Sequence, residues 1–287
     1  MEEDYKTIIY EPGPVTKIIH NEPAINNVFG ADFEKEYVDA LARFDKDREA
    51  KVAVVLARGK HFTAGHNIDM LAKKQTWKAG EKAEWDEARW RQVNDPRRLD
   101  FRIWEVSKPL VIGVQGAVLG AGCLFVMLHD VVVMGESSFF GLSISRVSGA
   151  FGGVLQMWMG YRKAFEMMCT GWNVSAQELY RLGAINKVVP DDKIEEEALR
   201  YAEIMALMPM EILKLSKQSL QLGMNQLGAR EQIWHNQEIN TLIHCVNSET
   251  EKEFYRILKE KGMKAALDFR DRAFEKFGFQ RNKATEI

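Results

Sequence analysis

Two short glycine turns carry the chemistry this sequence offers. The first is Phe62-Thr-Ala-Gly-His66, which follows the apolar run Val52 to Ala57 and leads into a helical pattern at Ile68. The second is Gly116-Ala-Val-Leu-Gly-Ala-Gly-Cys123, which follows the apolar run Leu110 to Val114 and opens another helical pattern. A strand, a glycine turn and a helix in that order leave main-chain N–H groups without intrahelical acceptors. Those groups carry partial positive charge and favour an anionic oxygen. Glycine lets such a backbone approach a ligand closely. Two turns from adjacent layers would aim two N–H donors at one oxygen, the geometry of an oxyanion hole. Taken singly, each turn also serves plain strand–helix packing. Neither has the Gly-x-x-x-x-Gly-Lys-Ser/Thr order of a phosphate loop.

Few side chains near these turns can move a proton. His66 has an imidazole, a side chain suited to general acid or base work. Asp69 lies one helical turn further on, where i,i+3 spacing brings it beside His66 or leaves it a solvated helix-start carboxylate. Arg146, within Ser143-Ile-Ser-Arg146, could hold a carboxylate on a ligand or make a salt bridge at a surface or interface. His235 and His244 are nine residues apart on one helical stretch, off any common face, and read as helix or subunit-contact residues. Met157, Trp158, Met159, Met167 and Met168 make a sulfur- and aromatic-rich apolar wall that packs the core or accommodates a bulky ligand. No Ser-His-Asp set is identifiable from spacing.

The elements that must position these residues alternate. Thr7 to His20 reads as two strands around Glu11-Pro-Gly-Pro14. Ala31 to Arg48 has Phe33, Tyr37, Leu41 and Phe44 at helical spacing. Val52 to Ala57, Leu110 to Val114 and Val131 to Met134 are continuous apolar runs, as in strands buried on both faces. Trp77 to Arg102 is charged and helical, Gly120 to Leu128 and Ala164 to Thr170 are helical, and Ser175-Ala-Gln-Glu178 has the form of a capping box. Ala184 to Val189 reads as a short strand. Beyond Asp191 the pattern is helical almost throughout. This alternation gives an α/β class with parallel pairing.

Composition bounds the partners. The chain has 287 residues, of which 46% are apolar and 28% charged, an ordinary globular balance. A net charge of −2 argues against broad binding to nucleic acid or anionic membranes. The three cysteines, Cys123, Cys169 and Cys245, show no zinc-like spacing. Cys123 and Cys169 are expected to be buried thiols. With no apolar leader and no uninterrupted apolar span of membrane length, a cytoplasmic protein is expected.

Five segments in order resemble the crotonase (enoyl-CoA hydratase/isomerase) superfamily: "HNEPAINNVFG", "GKHFTAGHNIDML", "KPLVIGVQGAVLGAGCLFVMLHD", "SSFFGLSISRVSGAFGG" and "TGWNVSAQELYRLGAINKVV". The resemblance implies a spiral core of repeated ββα units over residues 1–204 and a helical trimerisation region over 205–287. Homotrimers, or dimers of trimers, are expected. It also implies an acyl-CoA substrate, with coenzyme A arriving as part of that substrate and no separate cofactor or metal. The oxyanion amides fall on His66 and Ala121, and Ala121 stands where the family usually has Gly. The adenine falls near Phe62 to Ala64. Phe62, Ala64, Gly65, Gly120, Leu124, Ile144 and Gly152 are expected to touch substrate. Lys73, Lys74, Arg97 and Arg98 are possible phosphate contacts or solvated charges.

The resemblance also exposes an absence. Hydratases of this family use two glutamates, which would fall at Leu124 and Ile144. Both residues are aliphatic and neither can move a proton. Three readings follow. The chain binds an acyl-CoA and stabilises its thioester enolate through the amides of His66 and Ala121, with Asp69 and Arg146 as further candidate catalytic residues. Or it is a C–C bond hydrolase or decarboxylase of a β-dicarbonyl or malonyl-type substrate, with His66 or Arg146 handling the carboxylate or water. Or it binds acyl-CoA without catalysis.

Overall fold

The computed structural model describes residues 5–68, 95, 98–149, 152–246 and 248–284. Strands β1 (Ile8–Glu11) and β2 (Val15–His20) form an antiparallel hairpin with Ile8 opposite His20. From β2 onward the pairing is parallel: β2 with β3 (Val52–Ala57), β3 with β4 (Leu110–Val114), β4 with β6 (Val131–Gly135), and β6 with β9 (Lys187–Val189). A second, three-stranded sheet joins β5 (Ala117–Leu119) to β7 (Phe139–Gly141) and β7 to β8 (Val174–Ser175).

The main sheet is buried on both faces, which is why its strands read as unbroken apolar runs. Ala53, Val55, Leu110 and Ile112 pack with Phe33, Tyr37, Leu41 and Phe44 of helix α1 (Ala31–Lys46). Val52, Val54, Leu56 and Val111 face the other way, against Ala198 and Ala202. The period-two alternation of a strand thus splits one apolar run between two cores. Among the described residues the remaining helices are α2 (Leu99–Glu105), α3 (Ala121–Met127), α4 (Leu155–Met159), α5 (Tyr161–Thr170), α6 (Ala176–Arg181), α7 (Ile194–Ala206), α8 (Met210–Gln226), α9 (Ala229–Val246) and α10 (Glu249–Glu275). Ala198 and Ala202 belong to α7.

The spiral is visible in the order of elements. β4 lies in the large sheet, β5 in the small one, and α3 follows. β6 and β7 repeat the step, and a 3-10 turn, Ser143–Arg146, follows. The turn after β3 joins in through a parallel bridge between Thr63 and Val118. α8 to α10 form the helical C-terminal part. It is tied to the spiral by Lys217, whose Nζ donates to Asp130 Oδ2 at 2.7 Å and to Lys108 O at 3.0 Å. None of the described helices is long and apolar enough to cross a membrane.

Most expected elements lie within a residue or two of their expected bounds. Ser175 Oγ accepts from Glu178 N at 3.1 Å, as a capping residue does. The strand expected over Ala184 to Val189 is shorter: Ala184 and Ile185 instead pack in the core after α6. The expected helix over Trp77 to Arg102 lies mostly outside the described residues. Cys169 is exposed rather than buried, whereas Cys123 is buried. On α5 it is Ala164 and Met167 that face the core.

Candidate active site

The two glycine turns meet. Thr63 N donates to Ala117 O and Leu119 N to Thr63 O, at 3.3 and 3.1 Å, so the chain before His66 runs as a short strand beside β5. Thr63 also fixes the turn from within: its Oγ1 donates to Asn27 O at 2.6 Å and accepts from Gly65 N at 3.1 Å. Gly65 lies at φ +80°, and a methyl placed on it would come within 2.5 Å of Leu119 O. That residue must be glycine for the two turns to touch. The same methyl would lie 3.5 Å from Ala121 N. The second turn is therefore packed directly against the peptide that carries the His66 N–H.

The directions of the two N–H groups follow from their neighbours. All peptides in the described chain are trans, so each N–H points opposite to the carbonyl of its own peptide unit. Gly65 O accepts from Phe29 N at 2.8 Å, which turns the His66 N–H away from Phe29. Gly120 O accepts from Cys123 N at 3.1 Å, which turns the Ala121 N–H out of helix α3. Ala121 is the first residue of α3 and has no intrahelical acceptor for its N–H. Gly120 holds φ +57° and ψ −125°, a conformation that side chains resist, and this swings the chain from β5 into α3.

These two turns, on a spiral of parallel strands, agree with a family-wide comparison. The sequence pattern of the family described as Enoyl-CoA hydratase/isomerase matches residues 11–276. The chain belongs to the enoyl-CoA hydratase/isomerase family. Over 206 residues it is 31% identical to the 2,3-dehydroadipyl-CoA hydratase of Escherichia coli K12, covering 70% of this chain and 75% of that one. Over 203 residues it is 25% identical to an enoyl-CoA hydratase of Mycobacterium tuberculosis, covering 69% and 74%. A solved enoyl-CoA hydratase/isomerase from Xanthobacter autotrophicus Py2 shares the fold, with a TM-score of 0.85 at 23% identity over 94% of this chain and 99% of that one. An enoyl-CoA hydratase from Mycobacterium smegmatis does so with a TM-score of 0.84 at 21% identity over 98% of each chain.

Within this enoyl-CoA hydratase/isomerase fold the other expected residues are placed as follows. Leu124, one turn into α3, is buried, and Ile144 is half-buried on the 3-10 turn. Ile144 Cγ2 would lie 3.9 Å from a methyl on Gly120, so it stands beside the second turn. Gly152 abuts Met168, whose Sδ would lie 2.9 Å from a methyl there. Phe62 is buried, and Ala64 donates its N–H to Asn26 O at 2.9 Å. Asp69, Lys73, Lys74 and Arg97 lie outside the described residues. Arg98 grips Asp100 through two bonds of 2.9 and 2.8 Å and stacks over Trp234.

The side chain of His66 has a neighbour that spacing did not single out. Its Nε2 lies 3.5 Å from Glu34 Oε1 on α1, and its ring meets Phe29 edge-on. Glu34 precedes His66 by more than thirty residues, and the Phe29–His66 bridge joins the chain just before its helix to the turn. Arg146 is committed elsewhere. Its Nε donates to Thr170 O at 3.0 Å, one terminal nitrogen to Gly171 O at 3.1 Å and the other to Asp271 Oδ1 at 2.9 Å. Phe274 and Phe279 cover its guanidinium at 4.0 and 3.7 Å, and only 1% of the side chain is exposed. Burial lowers its pKa to about 10, so it stays charged at neutral pH. Of the two roles weighed for Arg146, the carboxylate-holding one is at odds with this placement, and the salt bridge is the one seen, buried and within the chain: the group fastens the C-terminal helix to the spiral.

Proposed function

We propose that this family member binds an acyl-CoA thioester and stabilises the enolate of its acyl group through the amides of His66 and Ala121. The observation that carries this reading is the contact between the turns, with Gly65 wedged against Leu119 O and Ala121 N. Donors fixed in advance by Phe29, Thr63 and Cys123 need no reorganisation when negative charge develops on the thioester oxygen. Each such donor contributes roughly 3 kcal/mol of barrier lowering. The named hydratases among the relatives support the thioester as substrate class.

Water addition by a glutamate pair does not fit the side chains. If Leu124 and Ile144 stand where the family's glutamates do, neither has a proton to give or accept. A second reading, a C–C bond hydrolase or decarboxylase of a β-dicarbonyl or malonyl-type thioester, draws on the His66–Glu34 pair beside the hole. There the oxyanion hole holds the departing enolate and the imidazole handles water or carboxylate. The protein would act as a homotrimer or a dimer of trimers. One panel separates the readings: crotonyl-CoA, methylmalonyl-CoA and a β-keto acyl-CoA, with products followed by mass spectrometry. The account predicts no efficient hydration of crotonyl-CoA. Fast water addition would refute the reading of Leu124 and Ile144, and binding without product across the panel would favour a non-catalytic acyl-CoA-binding homologue.

A further inference from the structure

We propose that Asn236 is a hydrogen-bond donor of the acyl site and selects acyl chains that carry an oxygen acceptor. The inference rests on the thioester-binding reading above. Asn236 lies on α9 and is 9% exposed. Its Oδ1 accepts from Gly153 N at 2.8 Å. Its Nδ2 is buried and has no hydrogen-bond partner among the described residues. A buried donor without an acceptor is a standing cost that native proteins seldom carry without a use.

The place of this donor points to the use. A methyl on Gly153 would lie 2.8 Å from Leu124 Cδ1 and 3.5 Å from Asn236 Nδ2. The Asn236 amide and the Leu124 side chain thus converge on one glycine. Leu124 lies one helical turn beyond Ala121, whose N–H is half of the oxyanion hole. Ile144 stands against Gly120 and Met168 against Gly152, so apolar side chains flank the two glycine turns. A precisely placed amide beside such side chains fixes a ligand's orientation by one directed bond. Nδ2 can only donate, so its partner is a keto, hydroxyl or carboxylate oxygen on the acyl chain.

If Asn236 served only to hold Gly153, an acceptor oxygen would suffice. Asn236→Asp keeps that oxygen and removes the donor, whereas Asn236→Leu removes both. The experiment is calorimetric titration of wild type and both variants with butyryl-CoA, acetoacetyl-CoA, 3-hydroxybutyryl-CoA and succinyl-CoA, with circular dichroism to check folding. For wild type, at least one oxygenated ester should bind about tenfold tighter than butyryl-CoA, and in both variants the ratio of the two affinities should fall to near one. Equal affinity of wild type for all four, or a preference that survives in the folded variants, overturns the proposal and leaves the thioester reading standing. If Asn236→Leu fails to fold, Asn236→Asp decides. If wild type binds none of the four, the thioester reading falls and the proposal with it.

Discussion

At the scale of single residues, burial decides which groups are available for chemistry. His129 is buried and neutral: its Nδ1 donates to Phe125 O at 2.9 Å and its Nε2 accepts from Tyr37 Oη at 3.0 Å. Burial holds its pKa down to about 3. His20, stacked on Phe33 at 3.9 Å, is likewise held down to about 3 by burial, and neither ring nitrogen has a hydrogen-bond partner among the described residues. In the unfolded chain both histidines titrate near 6.5. The unfolded state therefore takes up protons first as the pH falls. The stability due to each neutral ring is complete above about pH 6.5 and is lost progressively down to about pH 3, at roughly 1.4 kcal/mol per pH unit. His20→Phe should flatten the pH dependence of stability between pH 6 and 5 by about that amount, measured by urea unfolding at each pH. An unchanged slope would mean that His20 is not held neutral. The two glycine turns were legible from spacing, and it was the resemblance that put the proposed donors at His66 and Ala121 within them. The pairing of His66 with Glu34 was not legible, because helix α1 comes back to the site only through tertiary structure.

At the scale of elements, what could be read depended on length. β3 keeps its expected limits, Val52–Ala57, because six residues buried on two faces make an unmistakable run. β5, β7 and β8 have only three, three and two residues, too short to show alternation. They surfaced only as pairing partners. Arg146 shows the same limit: its partners Asp271, Phe274 and Phe279 lie more than a hundred residues later, on α10 and just beyond it. Asp271 is itself shared with Arg270 and Arg281, whose hydrogen bonds and charge outweigh burial and keep its pKa below the usual value. Asn173 Nδ2 adds a clasp, donating to Gln280 O at 3.0 Å and Lys283 O at 2.8 Å. Arg146→Met should cost roughly 3 kcal/mol of stability. It should also release the C-terminal helix to limited proteolysis before the spiral is cut. A variant of wild-type stability with lost activity would instead restore Arg146 to the substrate.

At the scale of the whole molecule, the C-terminal helices leave apolar surface uncovered. On α8, Ile212, Leu215 and Leu222 are 48%, 61% and 60% exposed, and Leu227 just beyond it is 72% exposed. Scattered exposed leucines are ordinary, but Leu215 and Leu222, seven residues apart, share one helix face. Such a stripe is the feature that a homotrimer would bury. Light scattering should give three or six times the 32.9 kDa chain mass, and Leu215→Glu with Leu222→Glu should shift the protein toward monomer. A wild-type monomer at micromolar concentration would contradict the assembly.

The most direct test of the proposed oxyanion hole replaces one of its two N–H groups. Ala121 opens α3, where proline is tolerated, and the proline ring puts a methylene in place of the N–H. The measurement is exchange of the α-proton of a bound acyl-CoA with deuterated solvent, which reports enolate formation. Ala121→Pro should slow it by about 10²-fold or more while Ala121→Gly leaves it near wild type. Undiminished exchange in the folded proline variant would contradict the account.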